Sequence, residues 1–262
     1  MTVRLAIGDS ASIRGPLLYD RPGHWLDGAP WEAIAKIGTY GAWNIYANDF
    51  LGWDGPAVEM AATDASAGWI ITVVDGGTDS AETVAIRDSV ENGVLRITTN
   101  NADNDNTVLQ RIGEPWRYNS GKKAFFAVRF ASGDANDGEI FVGLCTADTN
   151  PFSTAPTDGL WFEKAETATT MTFVAAKNSV QATASSIDTT AMVDGTFHEY
   201  GFRVNSSGSI DVFYDGTDVG TIAAGNASLP DDEDLKLTFA IQTGDLDVIQ
   251  LDIDYVICAF ER

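Results

Sequence analysis

From about residue 69 onward, apolar side chains recur at every second position, in run after run. Phe126, Val128 and Phe130 point one way, with Phe125 and Arg129 opposite. Ile140, Val142 and Leu144 repeat the pattern, as do Tyr200, Phe202 and Val204 against Glu199 and Arg203. Ile210, Val212 and Tyr214 stand against Asp211, and Leu235, Leu237, Phe239 and Ile241 against Lys236, Thr238 and Gln242. Ile249, Leu251, Ile253, Tyr255 and Ile257 form a last apolar face against Gln250, Asp252 and Asp254. A period of two belongs to extended chain with one face buried, so each run is expected to be an antiparallel strand. Asp215-Gly216 separates two runs and signals a two-residue hairpin. Asp75-Gly76-Gly77, Asn101 to Asn106, Ser132-Gly133-Asp134 and Asn205 to Gly208 supply further turns. No helical stripe longer than a few turns follows residue 58. About a dozen short strands with turns between them imply two packed sheets.

Residues 1–58 read differently, and the sequence divides there into an N-terminal arm and a sandwich domain over 59–262. The arm shows no sustained alternation. One short helix is expected, with Pro30 early, Ile34 and Ile37 on one face and Gly38 as its stop. Trp25, Trp31, Trp43 and Trp53 fall in this segment, and only Trp69, Trp116 and Trp161 in the remainder. A flexible linker is polar, so an irregular segment this aromatic is expected either to fold back on the domain or to dock on neighbouring subunits. Docking is the stronger reading.

The chain carries 38 acidic side chains against 16 Lys plus Arg, a formal charge of -22. That balance excludes a binder of nucleic acid, which needs clustered cations. Residues 1–58 hold six acids and four bases, so almost all of the negative charge lies in the sandwich. Two histidines, His24 and His198, cannot make a multi-histidine metal site. A content of 44% hydrophobic and 10% aromatic residues suffices for a large core. Cys145 and Cys258 are expected as free, buried thiols, a single bridge being the alternative. No leader-like segment and no apolar run near ~20 residues is present, so a soluble chain made in a reducing cytosol, off the membrane, is expected.

Retaining glucanases set two carboxylates about 5–5.5 Å apart across the sugar. The nearest one-strand pair here is Asp252 and Asp254, expected to be solvated rather than catalytic. Asp103, Asp105 and Asn106, and Asp134, Asn136 and Asp137, offer oxygen ligands without the full spacing of a calcium loop; ordinary turns account for both. Asp231 to Asp234 read as a solvated acidic loop. No Gly-x-Ser-x-Gly elbow or phosphate loop occurs. The expectation is a chain with no catalytic residues, no metal and no cofactor. Trp116 and Trp161 are candidate stacking platforms for sugars, Trp161 because it alternates outward from Leu160 and Phe162. Packing at the edge of the core is the competing and stronger reading.

A family resemblance adds to this. Gly121-Lys122-Lys123-Ala124-Phe125-Phe126-Ala127-Val128-Arg129-Phe130 resembles the glycine-lysine and aromatic strand of concanavalin A-like jelly rolls. So do Val142-Gly143-Leu144 and Asp158-Gly159-Leu160-Trp161-Phe162. Asp194-Gly195-Thr196-Phe197-His198-Glu199-Tyr200, leading into Ile210-Asp211-Val212-Phe213-Tyr214-Asp215-Gly216, is similar to their strand and hairpin. The order of these motifs over residues 65–262 resembles tailed-bacteriophage capsid decoration, or cement, proteins. The resemblance implies an all-β, concanavalin A-like antiparallel β-sandwich (jelly roll) with an extended N-terminal arm. It implies a non-enzymatic structural role on the outer capsid surface of the virion, assembled in the host cytoplasm, with the major capsid protein and a homotrimer of the chain itself as partners. Trp25, Trp31, Trp43 and Trp53 are then the interface anchors, at ~2 kcal/mol or more for a hot spot. Arg4, Arg14 and Arg21 are expected to pair with capsid acids at roughly 0–1 kcal/mol each. The alternative is a carbohydrate-binding, lectin-like module that takes surface glycans, with Trp161 as a ligand-stacking residue.

Overall fold

The alternating runs form strands. A computed structural model describes residues 43–51, 63–66, 68–74, 82–87, 93–184, 187–245 and 247–262. In chain order they give β1 (Trp43–Asn48), β2 (Thr63–Ser66), β3 (Trp69–Val74), β4 (Thr83–Ile86), β5 (Leu95–Thr98) and β6 (Asn106–Arg111). Then follow β7 (Ala124–Ser132), β8 (Gly138–Cys145), β9 (Gly159–Lys164), β10 (Thr172–Lys177) and β11 (Val180–Ala184). The last are β12 (His198–Val204), β13 (Ile210–Tyr214), β14 (Thr217–Ile222), β15 (Lys236–Thr243) and β16 (Gln250–Glu261).

Among the described residues, these strands form two sheets of eight. The first runs β14-β13-β12-β7-β16-β5-β4, and β1 also pairs with β16. The second runs β11-β10-β9-β8-β15-β6-β3-β2. Neighbouring strands are antiparallel throughout. This is the all-β, concanavalin A-like sandwich that the sequence implies.

Side chains of the two inner faces meet in one apolar core. Phe126 stacks on Phe202 at 5.1 Å between ring centroids, and Phe130 on Tyr200 at 4.7 Å. Both pairs join β7 to β12, so alternation on two adjacent strands makes an aromatic ladder. Such pairs contribute about 0.5–1.5 kcal/mol beyond the area they bury. Asp215 and Gly216 take φ of 46° and 77° in the turn between β13 and β14, the left-handed pair that a two-residue hairpin needs.

The structure corrects the sequence on β16. Ile253 pairs with Phe130 and Tyr255 with Arg129, so Asp254 is an extra residue, a bulge. Before it, Leu251 and Ile253 face the core. After it, Val256, Cys258 and Phe260 do. Tyr255 and Ile257, expected on the inner face, instead join Ala259, Phe125, Ala127 and Phe213 in a buried cluster on the outer face. Asp252, expected in solvent, is 5% exposed. Arg96 grips both its oxygens at 2.6 and 2.7 Å, and Arg87 adds a third bond at 2.8 Å. Asp254 pairs with Arg129.

The sandwich also reaches into the expected arm. Trp43–Asn48 is β1, antiparallel to the last residues of β16, and Phe50 is fully buried in the core. Trp43 packs on Phe125 at 6.0 Å. Trp25, Trp31, Trp53, Arg4, Arg14, Arg21 and the helix expected after Pro30 lie outside the described residues. Cys145 and Cys258 are free and buried, one in each sheet.

Candidate functional site

The outer face of the second sheet carries a second unexpected feature. Val108, Phe141, Trp161, Val174 and Ala240 form a buried patch there, and Phe152 from the β8–β9 connection packs against it. Trp161 points outward, as its alternation predicts, yet it is 0% exposed. Gly143 on β8 explains how it fits. A Cβ at Gly143 would stand 2.5 Å from Leu160 O and from Trp161 Cα. Only a bare backbone lets β9 approach this closely, and the indole then lies beside Phe141 at 5.3 Å, nearly parallel. Trp116 is likewise buried in the inter-sheet core, so both candidate platforms are packed rather than open.

Next to this patch sit two carboxylates that the sequence did not single out. Glu139 is the second residue of β8 and Glu163 lies near the end of β9. Phe141 pairs with Glu163, so Glu139 is the diagonal neighbour of Glu163 on one sheet face. Diagonal positions are about 7–8 Å apart, within mutual reach of glutamate side chains. Trp161 Nε1 donates to Glu163 Oε2 at 2.6 Å. Gln242 Nε2 donates to Glu139 Oε2 at 2.6 Å and to Asn104 Oδ1 at 3.3 Å. Asn106 Nδ2 donates to Gln242 Oε1 at 3.3 Å, while Asn106 Oδ1 is buried without a donor. Gln110 and Thr238 form a second polar pair on this face, beyond Phe141, Ala240 and Val108, with Gln110 Nε2 donating to Thr238 Oγ1 at 2.9 Å.

Burial lifts the Glu163 carboxyl above the ordinary glutamate range, against the pull of the Trp161 N–H. Burial also lifts Glu139, opposed by the Glu166 main-chain N–H and reinforced by the charges of Glu166 and Glu163. A pair of acids raised in this way can present a hydroxyl donor on one side and an acceptor on the other. With the Gln242 amide beside Glu139, the pair offers both donors and acceptors of the kind that match polyhydroxylated ligands.

Other sequence candidates fall elsewhere. Asp134 Oδ1 accepts the N–H groups of Asn136 and Asp137 at 2.9 and 3.1 Å, and Asp105 Oδ2 that of Ala102 at 3.2 Å; both act as turn residues. Among the described residues, no three His, Cys, Asp or Glu side chains are grouped to hold a metal ion. Asp231 and Asp232 pair with Lys177, and Asp234 with Arg117. His198 Nδ1 lies 2.8 Å from Asp215 Oδ2 and 2.9 Å from Tyr214 Oη.

Glu139 and Glu163 lie on different strands and meet only through the β8–β9 register, so no spacing along a single strand reveals them. The available signal was an acid at an outward position of two otherwise apolar strands.

No protein-family model matches the chain, and no curated protein matches it. Solved structures share the fold. An endo-1,3-beta-glucanase from Streptomyces sioyaensis superposes with a TM-score of 0.57 at 13% identity, over 84% of this chain and 97% of that one. A protein of unknown function from Shewanella oneidensis MR-1 gives 0.54 at 13% identity, over 88% and 93%. A non-specific endo-beta-1,3(4)-glucanase gives 0.51 at 16% identity, over 85% and 92%. The expectation of a non-enzymatic chain is corrected by this finding, since two of these three structures are glucanases. The missing one-strand motif is no ground for that expectation either, because Glu139 and Glu163 come together from two strands.

Proposed function

We propose that the chain binds carbohydrate on the outer face of the second sheet, with Glu139 and Glu163 at the centre of the site. One observation carries this reading: two half-buried carboxyls, both lifted by burial, are diagonal neighbours on one sheet face, with the Gln242 amide bonded to one of them. Carboxylates accept from sugar hydroxyls, and a protonated carboxyl or an amide both accepts and donates. The shared fold with glucanases is compatible with that use. The polymer named for those structures, β-1,3-glucan, is the first probe.

The test is calorimetric titration of soluble β-1,3-glucan and a panel of other polysaccharides against wild type, Glu139→Gln and Glu163→Gln. Binding that weakens by about tenfold or more in either variant supports the reading. Equal binding by all three proteins, or none by the wild type across the panel, overturns it. Reducing ends released from a bound polymer by the wild type and not by Glu163→Gln would extend the site from binding to cleavage.

A second reading concerns where such a site is displayed. We infer the outer surface of a phage head, with the major capsid protein and other copies of this chain as partners. The division of charge favours it: the segment before residue 59 is nearly neutral and tryptophan-rich, and the sandwich is strongly acidic. Like charge on the displayed part discourages particles from adhering to one another. Cosedimentation with capsids, lost on deletion of residues 1–42, is the expected result; undiminished binding by the truncated chain counts against it.

A further inference from the structure

Lys164 ends β9 on the side opposite Glu163, and its side chain runs inward between the sheets, beside Ile140. It is 2% exposed. Four main-chain carbonyl oxygens lie within hydrogen-bond distance of its ammonium and share its three N–H donors: Gly138 O at 2.6 Å, Asn136 O at 3.1 Å, Ala165 O at 3.2 Å and Glu166 O at 3.3 Å. Lysine is seldom buried, because removing an ammonium from water is costly without compensation. Here the compensation is a cage of carbonyl dipoles, the kind of oxygen set that replaces the hydration shell of a monovalent cation. Asp134, Asp137, Glu139 and Glu166 surround it with negative charge.

The cage oxygens come from two places only. Asn136 and Gly138 precede Glu139 at the start of β8, and Ala165 and Glu166 follow Glu163 at the end of β9. Glu166 also reaches Glu139 through its main-chain N–H. The ammonium therefore ties together the two strand ends that carry the carboxylate pair. We propose that Lys164 is a tethered cation: it fills a carbonyl cage that binds an ammonium-sized ion, and it acts as the positioning residue that holds Glu139 beside Glu163. The second half of this statement rests on the carbohydrate reading of that pair; the first half does not.

The test uses the full chain with Lys164→Ala and Lys164→Met. Alanine keeps Cβ and removes three carbons and the ammonium, the atoms of n-propylammonium. Methionine restores most of the stem without charge. Lys164→Ala is expected to melt below wild type, and n-propylammonium at about ten times its dissociation constant to raise its Tm by about 3–5 °C. The same concentration should shift wild type and Lys164→Met by less than about 1 °C, within the range of a non-specific salt effect. The uncharged control, 1-propanol, should rescue none of them. Rescue by 1-propanol equal to that by n-propylammonium overturns the cage, as does a Lys164→Met protein as stable as wild type. If Lys164→Ala does not fold, the Lys164→Met comparison decides alone. Polysaccharide binding, measured in parallel, should be lost in Lys164→Ala and return with n-propylammonium. If wild type binds no polysaccharide, the carbohydrate reading falls while the melting data still judge the cage.

Discussion

Trp161 and Glu163, two positions apart on β9, face the same way, and the indole N–H of the first donates to the carboxylate of the second at 2.6 Å. That bond pulls the Glu163 carboxyl down while burial pushes it up. Trp161→Phe keeps the ring packed on Phe141 and removes only the donor. The side-chain carboxyl of Glu163, followed by NMR, is expected to titrate at higher pH than in wild type. An unchanged midpoint would show that the bond is not formed in solution.

The raised carboxyls also set a sign for stability. A carboxyl whose folded value lies above its unfolded one favours the folded state most at low pH. That contribution is lost as pH rises from the ordinary glutamate value of 4.5 through the folded value. Glu139→Gln and Glu163→Gln remove the cost of a buried charge, so both should melt higher than wild type at pH 7. Below pH 4.5 the gain should vanish. Melting curves from pH 3 to 8 check this, and a gain that grows toward acid would reverse the argument.

Gly143→Ala tests the close approach of β8 and β9. The new methyl meets main-chain atoms of Leu160 and Trp161, which cannot swing aside as a side-chain tip can. A loss of about 1–3 kcal/mol is expected, read from urea unfolding, together with a changed Trp161 emission spectrum. Wild-type stability in this variant would mean that the strands are further apart than 2.5 Å implies.

Asp252→Asn keeps the shape and removes the charge that Arg96 and Arg87 share. Charged hydrogen bonds are worth roughly 1.5–3 kcal/mol when buried. The two arginine side chains are 28% and 36% exposed, so screening reduces this to about 1–2 kcal/mol. The urea midpoint should fall with no change of slope.

Cys145 and Cys258 should resist a thiol reagent in the folded protein. Burial pushes the Cys145 thiol up to about 12 and lifts Cys258 well above its usual value. Denaturant should expose both together; one thiol reacting early in native buffer would mark local opening of its sheet.

Much of this fold was legible as sequence. Phe126, Tyr200, Phe239 and their neighbours face the core as their alternation demands, and Asp215-Gly216 turns where it should. Alternation fails where both phases look alike. From Ile253 to Cys258 nearly every residue is apolar, so nothing in the sequence marks the bulge at Asp254 or the reversal of Tyr255 and Ile257. The site was less legible still. Glu139 and Glu163 meet only through the β8–β9 register, and the burial of Trp161 depends on Gly143, a residue of the neighbouring strand. β1 was hidden for the same reason, since its partner β16 lies at the other end of the chain.

The pairing of β1 with β16 has a mechanical side. Trp43 stands opposite Glu261, so the chain enters the first sheet and leaves it at the same corner. A load applied across those two points pulls perpendicular to the ladder. It would unzip the hydrogen bonds one pair at a time, from Trp43 and Glu261 towards Asn48 and Val256, rather than shearing them together. Peeling stops being easy at the bulge, where β5 takes over the same edge of β16. Tethered from this corner, the sandwich would surrender one strand at low force and keep the face that carries Glu139 and Glu163, which belongs to the other sheet.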